Sequence, residues 1–254
     1  MITGFSLAGT YLITGGTRGI GRAISIEFAR AGAHVIANYL RNQKAASDLK
    51  SLAESENLRF DLCRADLTTV EGVQKAAAAV EVAGSPPSGL VHCAAIGVHR
   101  SVTELSARHL DWTMALNVGS FFELVKLLLP KLGPGSSIVA LSSPGASRAV
   151  PEYAVVGASK GALESLARHL AVEFAPRGIR TNIVAPGAIA TDAWNAIPGG
   201  KLKLAEAAKR SPLGRLITPE EVAQAVRFLC SSSASAINGQ TLVVDGGAGI
   251  AAWC

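Results

Sequence analysis

The sequence has few cysteines, few aromatics and no clustered charge, and each shortage narrows what it can be. Four cysteines (Cys63, Cys93, Cys230, Cys254) lie far apart in 254 residues, with no CxxC pair and no histidine at ligand spacing. That argues against a disulfide scaffold and a zinc site and fits a reducing compartment. Five scattered histidines without carboxylates at suitable spacing add no other metal site. Aromatics make up only 5%, which favours helices packed closely on a sheet through Ala and Gly over an aromatic-rich sandwich. The net charge of +5 comes without a Lys/Arg block or basic–aromatic interleaving, so no nucleic-acid partner is expected. No uncharged apolar run is long enough to cross a bilayer. The N-terminus lacks the charged start of a secretory leader, and a cytoplasmic protein is the expectation. No repeat and no shift of composition marks a second domain, so residues 1–254 read as one domain.

What is present is a regular alternation of strand and helix patterns. Residues 10–14 (Thr-Tyr-Leu-Ile-Thr) read as a first strand that runs into Gly15-Gly16-Thr17-Arg18-Gly19-Ile20-Gly21, and residues 22–31 follow as a helix closed by Gly32. Strand, glycine turn, helix is the context of a dinucleotide site. Glycines let the backbone approach a pyrophosphate, and the helix N-terminus offers free N–H groups and a positive dipole end. The spacing is glycine, three residues, glycine, one residue, glycine, and differs from GxGxxG. Residues 34–38 form the second strand. An acid at its end would bind the ribose 2′-hydroxyl of NAD; Asn38 stands there, with Arg41 close behind and Arg18 in the turn. Those guanidiniums favour a 2′-phosphate, hence NADPH.

Further strands are expected at 59–65, 90–94, 137–143, 180–184 and 240–244, with helices at 42–56, 68–83, 110–132 and 219–231. Residues 84–89 are a loop by composition. The pattern predicts α/β architecture: a single doubly wound parallel sheet of Rossmann type with helices on both faces. Residues 192–215 are basic and punctuated by Gly and Pro, and read as an irregular lid.

The chemistry is expected between residues 137 and 177. An apolar run ends in Ser142 and Ser143, and Tyr153 and Lys160 follow with six residues between them. On one helix, seven residues turn through about 700°, leaving the two side chains within roughly 20° of each other. An ammonium beside a phenol lowers the phenol's pKa toward working pH and makes it an acid.

Together these residues resemble the short-chain dehydrogenase/reductase family over nearly the whole chain. The resemblance implies a cofactor turn at Gly15, Thr17, Arg18, Gly19, Ile20 and Gly21, an adenine contact at Asp66-Leu67, and a wall at Ala94. It also implies cofactor contacts from Lys160 to the nicotinamide ribose and from Pro186, Gly187, Ile189 and Thr191, a catalytic set of Ser143 (or Ser142), Tyr153 and Lys160, and a helix-borne Asn117. Asn117 reads equally as a structural residue or a proton relay. Most of the family places three residues between Tyr and Lys. Six is the spacing of the enoyl-acyl-carrier-protein reductase branch, and the run from Ser142 to Ala171 most resembles its type III. The strand-four motif, usually Asn-Asn-Ala-Gly, is His92-Cys93-Ala94-Ala95 here.

The resemblance therefore implies NADPH-dependent reduction of the C2–C3 double bond of an enoyl thioester, free or on an acyl carrier protein. In conjugate reduction hydride lands on Cβ, two bonds beyond the carbonyl carbon, so the oxyanion lies farther from the nicotinamide; a phenol moved away from the Lys suits that geometry. The alternatives are an NADPH-dependent carbonyl reductase or alcohol dehydrogenase, and a nucleotide-binding scaffold without catalysis. Lys201, Lys203, Lys209 and Arg210 read equally as a carrier-docking patch or a solvated face. A homotetramer paired through residues 110–132 and 158–175 is implied by the resemblance.

Overall fold

Seven parallel strands lie in the order β3-β2-β1-β4-β5-β6-β7. The computed structural model describes residues 6–84, 86–191 and 199–250. The strands are β1 (Thr10–Thr14), β2 (His34–Tyr39), β3 (Phe60–Arg64), β4 (Pro87–His92), β5 (Ser137–Leu141), β6 (Arg180–Pro186) and β7 (Thr241–Val244). The helices are α1 (Gly19–Arg30), α2 (Gln43–Ser55), α3 (Val70–Val82), α4 (Ala107–Met114), α5 (Ser120–Leu128), α6 (Ala154–Phe174), α7 (Gly200–Arg210) and α8 (Pro219–Cys230). The predicted doubly wound sheet is the observed one.

Alternation along the strands builds a core on each face. Ile13 packs with Ile24 and Phe28 of α1 and Val222 and Val226 of α8. Its neighbour Leu12 points the other way, to Phe121 and Leu124 of α5 and Leu163 of α6. Phe28 and Phe121 are fully buried, each contributing roughly 1.5–3 kcal/mol relative to exposure.

Three elements depart from the sequence expectation. Residues 87–89 belong to β4, where Thr10 pairs with Pro87 and Gly89 lies opposite Ser137; a proline at the first position of a strand removes little from the ladder. The helical region expected at 110–132 starts at Ala107 and is broken by a π turn over Ala115–Gly119. Within the lid range, Gly200–Arg210 is a regular helix, because Leu, Ala, Lys and Glu are strong helix formers; residues 192–198 lie outside the described residues. The stretch Ala107–Lys131 is long and apolar enough on average to cross a membrane. Here its inward side, Phe121, Leu124, Val125 and Leu128, is packed into the core.

Candidate active site

The first β–α turn is shaped by its glycines. Gly15 and Gly19 have φ of +62° and +51°, and a Cβ on Gly21 would sit 2.1 Å from the Gly15 carbonyl oxygen. The turn opens into a cleft of about 520 Å³ at the carboxyl ends of the strands, beside the point where the strand order reverses between β1 and β4. Gly15, Thr17, Arg18, Gly19, Ile20 and Gly21 line it, as do Arg41, Asp66, Leu67, Ala94 and Thr191. Asp66 uses Oδ1 to accept from the N–H and hydroxyl of Thr68, which orders the turn after β3. A glycine cradle too tight for a Cβ, a helix N-terminus and two exposed arginines fit a phosphorylated dinucleotide. Trp112 and Leu116 also line the cleft; neither carries a motif that the sequence could have flagged.

Other expected contacts differ from these in their surroundings. Asn38 lines the cleft, but its Nδ2 donates to the carbonyls of Cys63 and Ala65. The amide ties β2 to the end of β3. Ile189 is buried in the core and bridges Ile217, and it is not among the residues that line the cleft. Pro186 ends β6, and Gly187 donates to the Val244 carbonyl and packs on Asp245; neither lines the cleft.

Tyr153 is the N-cap of α6, with φ −119° and ψ 11°. Its carbonyl accepts from the Gly157 N–H at 2.7 Å, but its φ and ψ are not helical, so the seven-residue rotation does not by itself set where its side chain points. The position one turn before Lys160 is Val156, buried against Gly97. The phenol instead joins a second cavity of about 680 Å³ with Arg100, Gly145 and Glu152. The loop after β4 serves both spaces, with Cys93, Ala94, Ala95 and Ile96 on the first and Arg100, Ser101 and Val102 on the second. The Tyr153 ring packs against His99, with centroids 5.1 Å apart, and against Gly145, where a Cβ would lie 2.5 Å from Cε1. Burial raises the phenol's pKa, opposed by a hydrogen bond with Ser143. The lowering expected from Lys160 is not what acts on it.

The two serines part ways. Ser143 accepts from the Gly145 N–H and faces Tyr153. Ser142 donates to Glu164 Oε1 at 2.5 Å. Lys160 is 5% exposed and donates to the Leu141 carbonyl at 2.7 Å. Burial brings its pKa down to about 8, against the opposing pull of Cys93 and Glu164. Cys93 is pushed up to about 11 by burial, which leaves it a poor nucleophile. Asn117, on the π turn, accepts from the Ile96 N–H and donates to the Ile96 carbonyl and Ser159 Oγ. Its amide staples the loop after β4 to α6.

Known proteins resemble this chain over most of its length. The model of a family described as "Enoyl-(Acyl carrier protein) reductase" matches residues 15–249. A 1-cyclohexenylcarbonyl-CoA reductase of Streptomyces collinus is 37% identical over 243 residues, 95% of this chain and 87% of that one. A tropinone reductase homologue of Arabidopsis thaliana is 37% identical over 251 residues, 96% of this chain and 93% of the other. The crystal structure of a short chain dehydrogenase from Burkholderia cenocepacia in complex with NADP superposes with a TM-score of 0.87 at 31% identity, covering 94% of this chain and 96% of that one.

Proposed function

The chain belongs to the short-chain dehydrogenase/reductase family, and on that premise we propose that this oxidoreductase reduces the C2–C3 double bond of an enoyl thioester with NADPH. The glycine turn, the α1 N-terminus, Arg18 and Arg41 would hold the dinucleotide. When bound, the reduced nicotinamide supplies a hydride to Cβ. Tyr153 donates a hydrogen bond to the enolate oxygen that develops at the thioester, an interaction often worth about 3–4 kcal/mol in rate. Ser143 orients the phenol. Lys160 holds the end of β5 through the Leu141 carbonyl and keeps the site positive below about pH 8. Asn117 fixes the loop that walls the cleft.

The observation that carries this reading is the displacement of the phenol. Val156 fills the place one turn before Lys160, and Tyr153 lines the second cavity and interacts with Ser143. Such an arrangement suits an oxygen remote from the carbon that accepts hydride. The activities named for the family and for the Streptomyces relative support it. The tropinone reductase homologue favours carbonyl reduction as the second reading. The exposed apolar side chains Leu110, Phe122 and Leu127 on α4 and α5 support pairing of copies as the basis of a homotetramer.

NADPH consumption with crotonyl and acetoacetyl thioesters separates the readings. Turnover of the enoyl substrate is expected, with a 100-fold or greater loss of kcat in Tyr153→Phe and unchanged NADPH affinity. Turnover of the ketone alone overturns the proposal, and an active Phe variant removes Tyr153 from it.

A further inference from the structure

Glu152 immediately precedes Tyr153 and has φ +59°, one of two non-glycine residues in the left-handed region among the described residues. A side chain with a Cβ is disfavoured there, and such strain persists only where surrounding contacts over-determine it. Three contacts do so. The Glu152 carbonyl accepts from the Arg100 N–H at 3.1 Å, which joins it to the loop after β4. Its carboxylate accepts from Lys203 Nζ at 2.9 Å, which joins it to α7. The chain then turns directly into Tyr153, whose ring is held by His99 and Gly145. His99 itself feels Lys203 and Glu152 in opposite senses, so the ion pair and the phenol's ring partner form one cluster. Glu152 also lines the cavity that contains the phenol.

The geometry points to Glu152 as a positioning residue that clamps α7 to the phenol's turn through Lys203 and aims Tyr153 through its left-handed backbone. Neither of its parts touches the reacting atoms. The carboxylate sets where α7 lies beside the cavity, and the backbone sets which way the phenol faces. This inference rests on the reading of Tyr153 given under Proposed function.

A charge swap tests the clamp. Both partners are 45% exposed, so each single change, Glu152→Lys or Lys203→Glu, is expected to raise KM for crotonyl thioester by roughly 3- to 5-fold, the range of a surface ion pair. The double swap is expected to restore KM to within about 2-fold. Multiplicative losses in the double swap overturn the clamp. The backbone is tested separately: Glu152→Gly is expected to keep kcat, whereas Glu152→Val, which resists positive φ, is expected to lower it 10-fold or more. Equal kcat in the two overturns the aiming role. Amide hydrogen exchange of Gly200–Arg210 reads the clamp without any substrate. Faster exchange in Lys203→Gln, reversed in the swap, supports the clamp even if crotonyl thioester is not turned over, and unchanged exchange overturns it.

Discussion

At His92 the hydrogen-bond count decides the tautomer. Thr14 Oγ1 accepts from the N–H groups of Cys93 and Ala94, both at 3.0 Å, and lies 3.1 Å from His92 Nδ1. With both lone pairs used, the threonine's hydrogen goes to Nδ1, and the imidazole proton sits on Nε2. Nε2 faces the main chain of Leu116 and Asn117 without a bond of good geometry. Burial first, then the Lys160 ammonium, holds the ring's pKa down to about 3. The unfolded chain, near 6.5, takes up a proton that the fold refuses, so stability is complete above pH 6.5 and is lost as pH falls toward 3. Urea unfolding at pH 6.5 and 4.5 should show a loss from this group of about 2 kcal/mol. The loss should be absent in His92→Asn, which carries no titrating ring. An identical pH dependence in the variant would show that the ring is not held neutral. For the serine pair, strand register favours Ser143 and the count to Gly145 favours Ser142; in the structure Ser142 donates to Glu164 and Ser143 accepts from the Gly145 N–H.

Among the elements, the N-terminus of α6 matters most. The helix starts at Ala154, so Tyr153 is oriented by its flanks, and Gly145 is the floor on which the ring lies. Gly145→Ala keeps an allowed backbone but places a Cβ 2.5 Å from the ring. It should lower kcat 10-fold or more while NADPH affinity and Tm stay close to wild type. An unchanged kcat would show that the ring position is not critical. Nothing in the sequence marks this glycine, because its neighbour is eight residues away and the contact depends on how two loops fold together. The π turn is similar. Asn117 was legible from the resemblance, but that its amide joins Ile96 to Ser159 follows from a register change in the helix that composition does not show.

For the molecule as a whole, the sheet order gathers the ends of β1, β2, β3 and β4 around one cleft. Binding there should stabilise the entire fold by linkage. NADPH at 100 times its Kd adds about 2.7 kcal/mol, a rise in Tm of roughly 5–10 °C for a chain of this size. NADH at the same concentration should give less, and Arg41→Ala should erase the difference, as differential scanning fluorimetry can measure. Equal shifts for both cofactors in the wild type would refute the role of Arg41.

Strand and helix order, the glycine turn and the short list of polar groups at strand ends were determined by the sequence itself. Hydrophobic period and turn chemistry act over a few residues, and they act here without contradiction. Tertiary structure decided which of those groups meet. It set Tyr153 at the N-cap of α6, tied Asn38 to β3, sank Ile189 into the core, and joined Glu152 to Lys203. Those outcomes depend on where loops and helix ends come to rest against one another, a balance of packing and burial over the whole chain that no local pattern encodes.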